Sequence, residues 1–318
     1  MTNVLILLTL PDQTSIQYRD RLRSAFPHIK VDLVDHFSKV DPFIAETDVL
    51  ITFAPMLRDE VLRKATRLKW VQALGTGVDN LVDLPSLKRD VVVTNVRGIH
   101  GAPLSESALL SMLALARRLP RAIRAQEQRK WDRWPSSLLM GKTVGIFGVG
   151  AIALDLAPRC KALGMRVVGI SSAPGRRPDG FDEMRPRDTL AAAVADLDYL
   201  VLLTPLTADT RHIVDARILA AMKPTSFLVN IARGGVVKED DLIAALRHGT
   251  IAGAALDVFE QEPLPEDHPL WSAGNVIVTA HLAGFNDEYV DGAMPVIVHN
   301  TGCFLAGRIG DMIHRVEW

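Results

Sequence analysis

The stretch from Lys142 to Ser171, KTVGIFGVGAIALDLAPRCKALGMRVVGIS, constrains this chain more than any other. Thr143 to Phe147 is a short, β-branched apolar run and reads as a buried strand. Glycines follow at Gly148 and Gly150. Ile152, Ala153, Leu154, Leu156 and Ala157 then take helical spacing, and Met165 to Ile170 forms a second apolar run. Strand, glycine turn, helix, strand is the unit that binds a dinucleotide. The first glycine permits the sharp turn. The second lets backbone N–H groups approach a pyrophosphate with no Cβ in the way, and the helix N-terminus adds unpaired donors and a positive dipole end. Gly148, Val149, Gly150, Ala151 and Ile152 are the candidate phosphate-binding residues. Such a turn can also do no more than join a strand to a helix; the elements on either side of it favour the nucleotide.

At 318 residues the chain is long for one core, so two domains are expected. A formal net charge of −1 and the lack of any block of like charge speak against nucleic acid as a partner. Cys160 and Cys303 are the only cysteines, too few for a disulfide framework, which fits a reducing compartment such as the cytoplasm. Val4 to Leu8 is apolar but too short to span a membrane; Pro11-Asp12 stops it, and it reads as a first strand. No metal-ligand pattern stands out.

The first hundred residues alternate strand and helix. Val4–Thr9, Val31–Val34, Val49–Phe53, Trp70–Leu74 and Val91–Val96 read as strands. Ser15 to Phe26 reads as an amphipathic helix with Ile16, Leu22, Ala25 and Phe26 on one side, and Asp59 to Ala65 as another. The result is a small parallel α/β domain, and such domains bind ligands beyond the carboxyl ends of their strands. Gly75-Thr76-Gly77 stands at one such end. It is either a tight turn or a nest of N–H donors for a small anion. Leu104 to Leu119 is apolar nearly all round and is expected to be buried, as a core helix or as half of a subunit interface. Trp131 and Trp134 follow in a basic link.

After Ser171 the rhythm repeats. Ser172 to Asp182 is a Pro-, Gly- and Arg-rich loop. Strands Tyr199–Leu203, Ser226–Ile231, Ile251–Leu256 and Val276–Thr279 end at Thr204-Pro205, Ala232-Arg233, Asp257 and Ala280-His281. Glu239 to Leu246 and about Glu288 to Leu305 read as helices. One doubly wound sheet therefore runs from about 100 to 285, and Arg233, Asp257, Glu262 and His281 would converge on one crevice.

An arginine, a glutamate and a histidine together suit reduction of a 2-oxo acid. Arg233 can hold a carboxylate with two parallel hydrogen bonds. His281 can give a proton near neutral pH, and a paired Glu262 would orient the ring and favour the imidazolium, raising its pKa. Singly, Arg233 could be a surface cation, Glu262 part of a solvated loop, and His281 one of nine mostly structural histidines. Three strand ends delivering three complementary groups favour the chemical reading.

Several motifs carry a resemblance. Leu74-Gly-Thr-Gly-Val-Asp79, Gly141-Lys-Thr-Val-Gly-Ile-Phe-Gly148, Thr204-Pro-Leu-Thr-Ala-Asp-Thr210, Asn230-Ile-Ala-Arg233-Gly-Gly-Val-Val, Ala254-Ala-Leu-Asp257-Val-Phe-Glu-Gln-Glu262-Pro263 and Val278-Thr-Ala-His281-Leu-Ala-Gly284 are similar to the D-isomer-specific 2-hydroxyacid dehydrogenases over essentially the whole chain. The resemblance implies an α/β fold of two domains. One is a flavodoxin-like substrate domain, 1–99 with 286–318. The other is a doubly wound Rossmann dinucleotide-binding domain, 100–285. It implies Arg233, Glu262 and His281 as catalytic triad, with Thr76 and Gly77 receiving the substrate carboxylate. It further implies Thr204, Pro205, Thr210, Ile231, Ala232, Asp257, Ala283 and Gly284 along the cofactor, Asp257 at the nicotinamide amide, and dimers through the Leu104–Leu119 helix.

The sequence departs from the family pattern at three positions. Ala153 replaces the third glycine of the turn, which asks only for close packing. Ala280 stands where proline commonly precedes the histidine. Ser171 stands where NAD-using members carry an acidic residue. A neutral Ser171 and Ser172 followed by Arg176 and Arg177 favour NADP over NAD, with Arg176, nearer the strand, as the phosphate's partner. The family's phosphoglycerate dehydrogenases have a basic residue near Thr52–Phe53. Here Phe53-Ala54-Pro55-Met56-Leu57 is apolar, so an unphosphorylated 2-oxo acid is expected, with Phe53 and Met56 lining its pocket and Arg58 the one cation that could swing in. The alternatives are a 3-phosphoglycerate dehydrogenase and a dinucleotide-sensing corepressor. The end of the chain at Trp318, soon after the last helix, reads against an appended segment of either kind.

Overall fold

A computed structural model describes residues 1–10, 12–173 and 175–318. The expected strand stop at Pro11, the loop position Pro174, and the side chains of Asp12 and Met56 lie outside the described residues, so the pocket-lining role expected of Met56 does too. The chain divides into two compact units, Met1–Ile99 with Asp287–Trp318, and His100–Asn286.

In the first unit five strands form one parallel sheet. They are β1 (Asn3–Leu7), β2 (Lys30–Val34), β3 (Val49–Thr52), β4 (Trp70–Ala73) and β5 (Val92–Thr94), in the spatial order β2-β1-β3-β4-β5. This is the flavodoxin-like order. β3 and β4 are buried along their whole length, as continuous apolar runs covered on both faces should be. The helix Asp12–Ala25 turns a different side inward from the one its sequence pattern indicates. Ser15, Tyr18 and Leu22 are buried, while Ile16 and Ala25 are exposed. Tyr18 is 1% exposed and Ile16 36%, so the helix buries the aromatic ring and leaves the aliphatic side chain at the surface.

The C-terminal helix Tyr289–Leu305 is fastened to β4 and β5 by a buried polar chain. Trp70 Nε1 donates to Thr94 Oγ1 (2.8 Å), Thr94 Oγ1 to Gln72 Oε1 (2.8 Å), and Asn300 Nδ2 to Gln72 Oε1 (3.1 Å). Buried polar groups are kept only when paired in this way.

In the second unit seven strands form another parallel sheet: β6 (Thr143–Phe147), β7 (Arg166–Ser171), β8 (Glu183–Pro186), β9 (Tyr199–Leu202), β10 (Phe227–Asn230), β11 (Gly253–Leu256) and β12 (Val276–Val278). Their order is β12-β11-β10-β9-β6-β7-β8, which reverses direction between β6 and β9. This is the doubly wound arrangement, and ligands bind at that reversal. β8 has no counterpart in the sequence reading. Its residues Glu-Met-Arg-Pro show no apolar alternation because it is an edge strand, paired only with β7.

The run Leu104–Leu119 is not one helix. The helix spans Gly101–Ala116; Arg118 adopts φ +54°, and Leu119 opens a second helix, Leu119–Glu127. Pro120 is the reason, since its ring would strike the carbonyl of Ala116 and it has no N–H to give. Nor is the first helix buried all round. Ser105, Ala108, Met112 and Leu115 face the unit's core, whereas Leu110 is 64% and Leu113 41% exposed. Among the described residues no helix is long and apolar enough to cross a membrane.

Candidate active site

The glycine turn leaves β6 and enters the helix Ala151–Ala162. Gly148 has φ +101°, and a Cβ there would stand 2.6 Å from the backbone N of Thr204, so glycine is what lets the end of β9 come so close. Gly150 caps the helix. A Cβ on it would meet no protein atom within 4 Å. The open cradle above Gly150 and the uncapped N–H groups of a three-turn helix fit a dinucleotide pyrophosphate. Ala153 is fully buried, consistent with its packing role. Val149 and Ile152 are half-buried and Ala151 exposed along the same turn.

At the end of β7, Ser171 Oγ accepts the N–H of Ala173 (3.3 Å). Ser172 and Arg176 are exposed, and Arg177 is folded back to donate to the carbonyl of Asp182 (2.9 Å). After β9, Thr210 Oγ1 donates to Pro205 O (2.7 Å) and accepts from Thr207 N (2.8 Å). Thr204 and Thr210 are both buried. The Thr210 hydroxyl is therefore engaged in shaping the loop.

β10 delivers Ile231, Ala232 and Arg233. Asn230, whose amide the sequence reading gave no role, holds this turn: its Nδ2 donates to Arg233 O (3.0 Å) and its Oδ1 accepts from Ala232 N (3.2 Å). Arg233 Nη1 donates to Ala232 O (2.7 Å). The next residue, Gly234, is pressed against the loop after β11: a Cβ there would lie 1.9 Å from the carbonyl carbon of Phe259.

β11 ends at Asp257, which is buried and organises the loop after β12. Asp257 Oδ1 accepts from Leu282 N (2.8 Å) and from Thr279 Oγ1, Oδ2 accepts from Ala283 N (2.9 Å), and its carbonyl accepts from His281 N (2.8 Å). This network holds His281 at φ +53°. Ser107 Oγ donates to Ala283 O (3.1 Å), tying the Gly101–Ala116 helix to the same loop. Glu262, followed by a cis peptide to Pro263, reaches Nδ1 of His281 with Oε2 at 2.8 Å. The side chains of Glu262 and His281 are 29% and 37% exposed, so the pair is open on one side. Burial alone would raise the Glu262 carboxyl. The hydrogen bond and charge of His281, the N–H of Phe259 and the charge of Arg233 outweigh it and hold the group below the ordinary glutamate range.

Arg233, Glu262 and His281 thus gather within one unit, at the carboxyl ends of β10, β11 and β12. One further residue joins them unannounced. His100, just before the Gly101–Ala116 helix, brings Cδ2 within 3.4 Å of where a Cβ on Gly284 would be. Nothing local marks it, because a long stretch of chain separates the two.

In the first unit, Gly75-Thr76-Gly77 follows β4. Thr76 Oγ1 donates to Val96 O (3.0 Å), and Asn95 Nδ2 donates to Thr76 O (2.6 Å). Phe53 lies 6.0 Å, centroid to centroid, from Tyr289, whose hydroxyl donates to Leu74 O (2.7 Å). Arg58 is stacked on the Phe37 ring at 4.2 Å.

Residues 109–283 match the family described as D-isomer specific 2-hydroxyacid dehydrogenase, NAD binding domain. The chain is 34% identical over 277 residues to the glyoxylate reductase of Thermococcus gammatolerans, covering 84% of this chain and 82% of the relative. It is 32% identical over 297 residues to the D-3-phosphoglycerate dehydrogenase of Methanocaldococcus jannaschii; that match covers 89% of this chain and 53% of the relative, so the chain spans about half its length. Among solved structures, an NADPH-dependent glyoxylate/hydroxypyruvate reductase from Sinorhizobium meliloti, in complex with NADP and sulfate, aligns with a TM-score of 0.82 at 27% identity, covering 100% of this chain and 98% of that one. With two parallel α/β sheets and these matches, the chain belongs to the D-isomer-specific 2-hydroxyacid dehydrogenase family.

Proposed function

We propose that this protein is an NADPH-preferring reductase of a small, unphosphorylated 2-oxo acid, giving the D-2-hydroxy acid. The observation that carries the reading is the Arg233, Glu262, His281 cluster at three strand ends of the nucleotide-binding sheet. When bound, the cofactor supplies the hydride that C2 of the oxo acid receives. His281 gives the proton to the carbonyl oxygen from Nε2, with Nδ1 turned to Glu262. Arg233 polarises the oxo acid and balances its negative charge. The N–H groups of Thr76 and Gly77 are assigned to the carboxylate, on the family resemblance. The unit Met1–Ile99 with Asp287–Trp318 is accordingly assigned as the substrate domain, and His100–Asn286 as the cofactor domain, within a residue of the expected division at 285/286.

Along the cofactor we assign Gly148, Val149, Gly150, Ala151, Ile152, Thr204, Pro205, Thr210, Ile231, Ala232, Asp257, Ala283 and Gly284. NADPH preference follows from the neutral Ser171 and Ser172 and from the exposed Arg176; the NADP found with the Sinorhizobium meliloti reductase agrees with it. The stacking of Arg58 on Phe37 supports an unphosphorylated substrate, because a phosphate buried without a cation would be costly. The two cysteines are free, which suits the cytoplasm. We assign the functional form as a homodimer through the Gly101–Ala116 helix.

The test is turnover of a panel of glyoxylate, hydroxypyruvate, pyruvate and larger 2-oxo acids with NADPH and with NADH. Saturable reduction of at least one is expected. Efficient oxidation of 3-phosphoglycerate would overturn the choice of substrate, and no turnover on any oxo acid would overturn the reaction.

A further inference from the structure

Asn95, just after β5, stands outside every role assigned above, yet it is polar and 2% exposed. Its backbone N–H donates to His314 O (3.1 Å), where residues 314–316 run antiparallel beside β5: Thr94 pairs with Arg315, and Val316 N donates to Val93 O (2.9 Å). Arg97 Nε donates to Asn95 Oδ1 (3.0 Å). An arginine can only donate, so the atom it meets is the amide oxygen, and Nδ2 is the atom that faces Thr76 O, at 2.6 Å. That carbonyl shares a peptide plane with the N–H of Gly77. In a trans peptide the two point in opposite directions. By drawing the Thr76 carbonyl toward itself, Asn95 turns the Gly77 N–H away. The preceding peptide is held from the same side, since Gly75 O accepts the N–H of Val96 (3.3 Å). Gly77 is half-buried, and no described residue accepts its N–H.

We propose that Asn95 is the positioning residue for the substrate carboxylate. Through Thr76 O it aims the Gly77 N–H at a carboxylate oxygen, and Arg97 latches the amide in the orientation this requires. The inference rests on the reading of this turn as the carboxylate site of a 2-oxo acid reductase. A donor whose direction is set before the ligand arrives loses little freedom on binding, and affinity gains accordingly. The carboxylate takes no part in hydride transfer and is held alike in ground and transition states. Loss of the aim therefore falls on KM and spares kcat.

The experiment measures kcat and KM on two 2-oxo acids that the wild type reduces, in the wild type, Asn95→Ala and Asn95→Asp, with NADPH affinity and Tm alongside. Asn95→Asp keeps the side chain's volume but has no hydrogen to give Thr76 O. Both variants should raise KM by about tenfold or more, the worth of a hydrogen bond to a charged group. The factor should be the same for both acids, which share the carboxylate, with kcat changed by no more than about threefold and NADPH affinity intact. Should neither variant fold, the exposed Arg97 decides. Arg97→Gln places Nε2 where arginine has Nε and keeps the latch, whereas Arg97→Met does not. Both remove the charge, so a KM about threefold or more higher in Arg97→Met isolates the hydrogen bond. An unchanged KM in the Asn95 variants, a loss that falls on kcat instead, or equal KM in the two Arg97 variants overturns the proposal and leaves Asn95 a packing residue. A wild type that reduces no 2-oxo acid would instead overturn the reductase reading, and the proposal with it.

Discussion

Glu262 Oε2 stands 2.8 Å from Nδ1 of His281, while Oε1 of the same carboxylate accepts the N–H of Phe259 at 3.0 Å. One oxygen orients the imidazole and the other fixes the carboxylate to its own loop. His281→Ala should therefore lower kcat by about 10²–10⁴-fold, the usual worth of a general acid, with NADPH affinity nearly intact. Wild-type turnover in that variant on every active oxo acid would remove His281 from the mechanism.

The same pair sets a pH dependence of stability. The folded Glu262 carboxyl is held below its unfolded value, so its contribution to stability is full above about pH 4.3 and is lost as pH falls through the lower folded value. The Tm advantage of wild type over Glu262→Gln should thus be present at pH 7 and shrink below about pH 4. Thermal denaturation of both proteins across that range checks the sign; an advantage that grows on acidification would contradict it.

The proposed cofactor choice is tested at Ser171 and Arg176. Because Arg177 is engaged with the Asp182 carbonyl, Arg176 is the cation assigned to a 2′-phosphate. Ser171→Asp should shift the kcat/KM ratio from NADPH toward NADH by about tenfold or more, since like charges brought together cost several kcal/mol. Arg176→Ala should weaken NADPH while leaving NADH nearly unchanged. A wild-type preference for NADH would sink the assignment.

The exposed Leu110 and Leu113 of the Gly101–Ala116 helix, with Leu119 and Ile123 of the helix after it, leave an apolar surface on the second unit. Burying one such side chain is worth about 1.5–3 kcal/mol, and a two-fold axis would cover each of them in both copies. Sedimentation at micromolar concentration should give a dimer, and Leu110→Glu with Leu113→Glu should give a monomer that still binds NADPH. A monomeric wild type would contradict the assembly.

The elements legible in the sequence were those whose pattern has one cause. β6, its glycine turn and β7 announce themselves because a buried parallel strand is apolar throughout and the turn needs glycine. That Arg233, Glu262 and His281 would gather at neighbouring strand ends was legible through their motifs. β8 was not, because an edge strand pairing on one side can be Glu-Met-Arg-Pro. The face of the Gly101–Ala116 helix was not, because a helix apolar all round gives periodicity no direction. Tyr18 was passed over for Ile16 for a related reason: the pattern marks apolarity, and the core took the larger ring. His100 is the clearest case. Its partners Gly284 and Arg233 lie far along the chain, and only the folded sheet brings them near.

Three glycines separate folding from binding. Gly234→Ala would force a methyl to 1.9 Å from the Phe259 carbonyl carbon, so the loop carrying Glu262 must move. Overpacking of this kind costs about 1–3 kcal/mol or more, and kcat should fall with Tm. Gly148→Ala combines φ +101° with a 2.6 Å approach to Thr204, and should also lose stability. Gly150 is different. Its backbone is ordinary extended chain (φ −110°, ψ −165°), and its Cβ would meet no protein atom within 4 Å. Gly150→Ala should keep its stability within about 0.5 kcal/mol. The methyl would instead occupy the space assigned to the pyrophosphate and weaken NADPH binding by about tenfold or more. Thermal denaturation and NADPH titration of the three variants separate these effects. If Gly150→Ala binds NADPH as tightly as wild type does, the pyrophosphate does not lie on this turn.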